Sequence, residues 1–224
     1  MATVTKNFRF LLKFGEQDHM TDLIEKGILY CNTISYFRKL EDPKQGDKHE
    51  GCLSATPVII NKIISKDGRI NMPDIKINGV LRDHDSEFNR NIFCLYGPDE
   101  YLLQRFIDKE IPVLVNRREF DFGKYFIFIK DPNEFAKRVK IAIEKEKYQY
   151  KLSFIEYVDQ STYQGKMGIF KKSDYYKDQN ELRFSIESNS DQPIKLNIGN
   201  MRDIAEGPYP IDEIEKLELK IYNN

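Results

Sequence analysis

Along Phe8-Arg9-Phe10-Leu11-Leu12-Lys13-Phe14, the residues Phe8, Phe10, Leu12 and Phe14 fall on one side of an extended chain, with Arg9, Leu11 and Lys13 on the other. A period of two predicts a strand with one buried face, closed by Gly15. Met20, Leu23 and Ile24 then recur at helical spacing, which predicts an amphipathic helix over 16–26 with its exit at Gly27. Ile28 to Cys31 reads as a brief second strand. Asn32 or Thr33 can cap a helix over 34–40, a side-chain oxygen accepting from one of its free backbone N–H groups.

Residues 41–51 are polar, with too few apolar side chains to bury, and predict a loop. From Cys52 to Val80 the chain reads as β-hairpin material: Val58-Ile59-Ile60 and Ile63-Ile64 are strand-like, Asp67-Gly68 is a turn signal, and Ile75 and Ile77 alternate beyond it. Residues 82–91 are polar again and predict a loop. Ile92 to Tyr96 is a compact apolar run that predicts a central strand, and Gly97-Pro98-Asp99 opens a helix carrying Leu102, Leu103 and Phe106. Strands are predicted at 111–115, 125–129, 152–158, 181–186, 194–198 and 217–221. Asp131-Pro132 starts a helix whose Phe135, Val139, Ala142 and Ile143 share a face. No repeat or low-complexity linker marks a boundary. The expectation is one mixed α+β domain over 1–224, with helices in the first and middle thirds and a candidate hairpin insertion at 52–91.

Composition narrows the function classes. A chain of 224 residues with 15 Phe and 13 Tyr can fill a core, which argues against global disorder. Its net charge of −1 excludes a chain-wide electrostatic grip on nucleic acid, although a local basic groove stays open. Without an apolar run of about 18 residues nothing is expected to span a membrane. Residues 1–6 lack the apolar stretch of a signal peptide, and Cys31, Cys52 and Cys94 are odd in number and scattered. Together these predict a cytoplasmic protein in a reducing compartment. His19, His49 and His84 have no partner at metal-ligand spacing, so no metal is expected. Neither a Gly-x-Ser-x-Gly elbow nor a Gly-x-x-x-x-Gly-Lys-Ser/Thr loop occurs.

Three segments carry chemistry-bearing residues: Lys13 on the first strand, Tyr30 to Phe37, and Tyr175 to Phe184 with its Gln179-Asn180-Glu181. The run LLKFGEQDHMTDLIEKGILYCNT at 11–33 resembles the opening of the DNA-targeting ADP-ribosyltransferase toxins. The order of Gly46-Asp47-Lys48-His49-Glu50-Gly51, Phe93-Cys94-Leu95 and Glu181-Leu182-Arg183-Phe184 resembles a group of bacterial proteins often found near phage-defence genes. The likeness to this ADP-ribosyltransferase-like superfamily spans about residues 8–187, through short motifs. It implies a split mixed β-sheet with flanking helices, and NAD as co-substrate. It also implies transfer of ADP-ribose to an intracellular macromolecule by a toxin or defence effector, which a protein antitoxin would neutralise.

In that chemistry, positive charge builds on the ribose as nicotinamide leaves, and a carboxylate beside the sugar stabilises it. The resemblance assigns that carboxylate to Glu181 and places Gln179 toward the acceptor. Lys13 stands where the superfamily has arginine or histidine; it can hold a diphosphate as a point charge but lacks arginine's fork. Tyr36 or Phe37 would stack on nicotinamide, while Asn32, Thr33 and Ser35 offer polar groups to its amide. Thr33, at a helix start, is also a candidate anion site. On one strand, Gln179, Glu181 and Arg183 would line one cleft. Lys171, Lys172, Tyr175, Tyr176 and Lys177 would form an acceptor loop for a nucleic acid, tyrosines stacking on bases and lysines on phosphates.

The residue patterns alone also admit plainer readings. Lys13 fits a solvent-facing strand position, Glu181 and Arg183 fit the wet face of an edge strand, and Tyr36 and Phe37 fit a core. The lysine–tyrosine segment fits an ordinary charged surface loop. Two other functions stay open: a metal-dependent nuclease using Glu218-Leu219-Lys220, and a ligand-binding module of the same fold without catalysis.

Overall fold

The computed structural model describes residues 10–40, 47–84, 90–115 and 122–218. The chain runs β1 (Leu11–Gly15), α1 (Gln17–Lys26), β2 (Ile28–Thr33), α2 (Ile34–Lys39), β3 (Ser54–Ile64), β4 (Asn71–Asp83), β5 (Asn91–Tyr96), α3 (Glu100–Ile107), β6 (Tyr125–Ile129) and α4 (Pro132–Lys145). It continues through β7 (Gln149–Phe154), β8 (Glu156–Val158), β9 (Gly165–Lys166), β10 (Lys171–Ser173), a 3-10 turn (Asp174–Gln179), β11 (Glu181–Glu187), β12 (Ile194–Asn197) and β13 (Ala205–Pro210). The class is α+β.

The helices form where the periodicity places them. α1 buries Met20, Leu23 and Ile24 and stops at Gly27, which is left-handed at φ 65°. A side chain there would also run into the Gly199 carbonyl, so glycine is needed twice over. Thr33 caps α2, its hydroxyl accepting from the Tyr36 N–H at 3.1 Å. Asp131 caps α4 ahead of Pro132, and Phe135, Val139, Ala142 and Ile143 are buried along one face.

Eight strands make the main sheet, in the order β12-β2-β5-β1-β6-β13, with β11 on the other edge of β5 and β7 outside β11. Every pairing in this sheet is antiparallel, so the expectation of a mixed sheet is corrected. Among the described residues the one parallel pair, β8 with β10, lies apart from it. The sheet is covered on both faces. Leu11, Phe93, Ile127 and Phe184 pack with α1 and α4, while Leu12, Phe14, Tyr96 and Phe126 pack with Leu103 of α3 and Ile214.

The division of β5 positions the site. β2 reaches only its start, Asn32 opposite Ile92, and β1 only its end, Leu12 opposite Tyr96. β11 follows its other edge along the whole length, from Glu181 opposite Tyr96 to Ile186 opposite Asn91. A gap therefore opens along one edge of the central strand, with Cys94 midway between the two contacts.

The structure corrects several predicted elements. Residues 111–115 form no strand: Pro112 lacks an N–H for a ladder, and the Leu114 carbonyl accepts from the Tyr96 hydroxyl instead, at 2.8 Å. The strand expected at 152–158 is broken at Ile155 into β7 and β8. β13 was not anticipated, because Gly207, Pro208 and Pro210 read as a loop; an edge strand with a shifted register tolerates them. Of the strand expected at 217–221, Leu217 and Glu218 belong to no strand, and residues 219–221 lie outside the described residues, as does most of the polar loop at 41–51. The β3–β4 hairpin turns at Asp67-Gly68 as predicted. No helix among the described residues is long and apolar enough to cross a membrane.

Candidate functional site

In the gap beside β5, the Lys13 ammonium donates to the Cys94 carbonyl at 2.9 Å and lies 4.7 Å from the centre of the Phe93 ring. It thus takes the place a backbone N–H would fill if β1 and β2 met. Among the described residues it has no carboxylate partner, and burial pulls its pKa below the ordinary lysine value.

Next to it, four charged side chains close on one another. Arg183 is 0% exposed, Glu50 3%, Glu181 5% and Lys172 8%. Glu181 accepts from Arg183 Nε at 2.6 Å and from Lys172 Nζ at 2.7 Å. Arg183 forks onto Glu50 at 2.7 and 3.3 Å and donates to the Ile169 carbonyl at 2.6 Å. Lys172 also donates to Gln179 Oε1 at 3.0 Å and lies 3.4 Å from Glu50. Burial opposes the charge on Glu181 and Glu50, but the Arg183 guanidinium and Lys172 ammonium outweigh it and hold both carboxyls below their usual range. Burial likewise opposes the Lys172 charge, and Glu181 and Glu50 more than restore it. The backbone N–H of Glu181 donates to the Tyr157 hydroxyl at 3.1 Å, fixing the start of β11. Burial and Glu181 push the Cys94 thiol up to about 12, so it stays protonated as a small filler.

A cavity of about 200 Å³ joins these groups. It brings together Lys13, Asn32, Tyr36, Phe37, Lys172, Gln179, Glu181 and Arg183 from the predicted set. Tyr30, Glu50, Cys94 and Tyr96 are also among its walls. Lys13 and Glu181 therefore face one hollow, and neither is the solvent-facing strand residue that alternation alone suggests.

Other predicted residues lie elsewhere. Thr33 and Ser35 are not among the cavity walls: their hydroxyls bond each other at 2.9 Å, and Thr33 is spent as the cap of α2. That cap also removes the anion site expected at the helix start. Gln179 is not on the strand with Glu181 and Arg183; it ends the 3-10 turn, and left-handed Asn180 separates it from β11. The lysine–tyrosine segment is β10 plus that turn, not a loop. Lys172 is buried within the ionic cluster, as is Arg183, so neither is a surface cation for acceptor phosphates. Lys171 pairs with Glu156 at 3.1 Å. Lys177 and Tyr175 remain exposed, Tyr175 edge-on to Tyr176 at 5.1 Å, and none of these three lines the cavity.

Glu50 is the main residue that sequence reasoning missed. It stands in the acidic Gly46–Gly51 motif, and the signal was that motif's place in the resemblance rather than any periodicity. Among the described residues no group of three or more His, Cys, Asp or Glu is disposed to hold a metal. Of the Glu218-Leu219-Lys220 motif, Leu219 and Lys220 lie outside the described residues. Comparisons with protein-family models, with curated proteins and with solved structures return no match for this chain.

Proposed function

We propose that the cavity binds the nicotinamide–ribose half of NAD and that the protein is a mono-ADP-ribosyltransferase of ADP-ribosyltransferase-like fold. One observation carries this reading: Lys13, Asn32, Tyr36, Gln179 and Glu181, drawn from separate segments, line a single hollow at the gap in the sheet. Glu181 is held ionised, as stabilisation of an oxocarbenium-like ribose requires. The carboxylate accepts from Arg183, Lys172 and the Cys94 thiol, three bonds against the roughly four that its two oxygens can accept, which leaves room for a ribose hydroxyl. Tyr36 and Phe37 supply ring faces at the mouth, and Gln179 sits where an acceptor would approach. The acceptor is an intracellular macromolecule, with nucleic acid favoured by the exposed Tyr175 and Lys177 near the Gln179 end. A toxin or defence effector acting in the cytoplasm and restrained by an antitoxin protein fits this activity.

A second reading rests on the same cluster. With both Glu181 oxygens engaged and a lysine at position 13, the fold can serve as a binding module without transfer. Incubation with NAD labelled in its adenylate half, scoring RNA, DNA and protein separately, decides between them. Transfer predicts label in one pool together with nicotinamide release, both lost in Glu181→Gln. Binding without label or nicotinamide favours the module.

A further inference from the structure

A cavity of about 200 Å³ is below the roughly 300–1,000 Å³ that encloses a drug-sized ligand, so a dinucleotide must leave part of itself outside. Two well-exposed aromatic residues border the cavity, Tyr30 at 50% and Tyr36 at 46%. Their surroundings differ. Tyr30 lies on β2 directly opposite Lys195 of β12, whose ammonium is 6.0 Å from the ring centre. His19 of α1 holds its ring within 3° of parallel to Tyr30, with the centres 6.5 Å apart. The nearby carboxylate of Asp22 pairs with Lys26 at 2.7 Å and attracts Lys195 only from a greater distance, so among the described residues no carboxylate is in ion-pair contact with Lys195. Tyr36 has Phe37 packed edge-on against it, at 5.4 Å, and no other ring contact among the described residues.

Resting on the NAD reading above, we propose that Tyr30, His19 and Lys195 form the subsite for the adenosine-diphosphate half of the dinucleotide. The base lies on the Tyr30 ring, parallel to His19, and Lys195 attracts the diphosphate. Tyr30 and Asn32 are two residues apart on one face of β2, so the ledge continues into the cavity over about 7 Å, within the span of a nucleotide. Aromatic stacking and a single cation suit a purine nucleotide; the ledge adds the contact area that the enclosed cavity lacks.

The test is calorimetric titration of the full chain and of Tyr30→Ala, Tyr30→Phe and Lys195→Glu with ADP, nicotinamide mononucleotide and NAD, plus a short single-stranded RNA. These are exposed positions, and circular dichroism verifies that each variant is folded. ADP and NAD affinity is expected to fall on the order of tenfold in Tyr30→Ala and in Lys195→Glu, and to be kept in Tyr30→Phe; nicotinamide mononucleotide affinity is expected to be unchanged in Lys195→Glu and to fall less than that of ADP in Tyr30→Ala, since Tyr30 also borders the cavity. Equal ADP affinity in the full chain and Tyr30→Ala overturns the proposal. So does RNA binding that depends on Tyr30 while ADP does not bind, since the ledge then serves an acceptor strand. Tyr30-dependent ADP binding without any nicotinamide mononucleotide binding upholds the ledge and refutes the NAD reading; no nucleotide binding at all refutes both.

Discussion

Glu50→Gln and Arg183→Met, made singly and together, test whether the buried charges beneath the cavity act as one unit. Glu50, Glu181, Lys172 and Arg183 balance two negative against two positive charges, all nearly out of water. Glu50→Gln leaves Arg183 and Lys172 sharing one carboxylate. At an effective dielectric of about 20, a charge pair some 4 Å apart is worth about 4 kcal/mol, and part of that is offset by the carboxylate no longer being desolvated. Measured losses of one buried partner run about 3–5 kcal/mol, which for a chain of this size lowers Tm by on the order of 10 °C. Arg183→Met leaves two carboxylates on one ammonium and should cost a similar amount. The double variant keeps Lys172 and Glu181 at 2.7 Å as a balanced pair. Its cost should therefore be less than the sum of the singles by about 1–3 kcal/mol. Urea unfolding followed by circular dichroism measures all four proteins, with an unchanged m-value as the control that only the native state is altered. Single costs that add to within about 0.5 kcal/mol would show that the four groups are independent, and the account of Glu181 ionisation would fail with them.

Lys13→Met removes the donor to the Cys94 carbonyl. It should cost about 1–3 kcal/mol in unfolding free energy and weaken NAD binding; unchanged stability and unchanged NAD affinity would show that Lys13 only fills space. His49 gives a pH signature. Burial, followed by Arg82, Lys48 and His84, lowers its pKa from the ordinary 6.5 to about 4. The fold thus favours the neutral ring, and its stabilisation is complete above pH 6.5 and lost as pH falls toward 4. Glu50 and Glu181, whose pKa values are lowered from 4.5, lose their contributions only below that value, while Asp47, raised by burial, gains as it protonates. The decline in urea midpoint between pH 6.5 and 4.5 should therefore shrink in His49→Asn, and identical slopes would refute the assignment.

Much of the fold was legible because its signals are local. The alternation around Leu12, the stripe of Met20, Leu23 and Ile24, the Asp131-Pro132 start and the Asp67-Gly68 turn each determine an element within a few residues. What failed depends on distant neighbours. Ile111 to Val115 is as apolar as a strand, yet it packs without a ladder because Pro112 and the Tyr96 hydroxyl decide its backbone bonding. β13 hides behind glycine and prolines that only an edge position allows. Lys172 and Arg183 look like surface cations for a similar reason. The carboxylate that buries Arg183 is 133 residues away, and no window along the chain can pair them. Periodicity could not join Glu181 to Lys13; that expectation came only with the resemblance, which did not single out Glu50 or tell which lysine would be spent inside the cluster.

The charge inventory of the hollow links its architecture to its chemistry. Because β5 shares one edge between two strands, its Cys94 carbonyl faces the gap, and a lysine side chain bonds it in place of a main-chain donor. The four-member cluster beside it cancels internally. Lys13 is then the charge left over among the described cavity walls, in a chain whose net charge is only −1. Burial weakens the hold on its proton, and an anionic group entering the gap would restore it, so an anionic ligand should bind there more tightly than a neutral one of the same shape. The carboxylate that would act on such a ligand keeps its own charge mainly through Arg183 and Lys172, and Lys13, which it also attracts, is not among its main supports. Attraction of the ligand and readiness of Glu181 thereby rest mainly on different cations, which is why loss of Lys13 should weaken binding while leaving Glu181 ionised through Arg183 and Lys172.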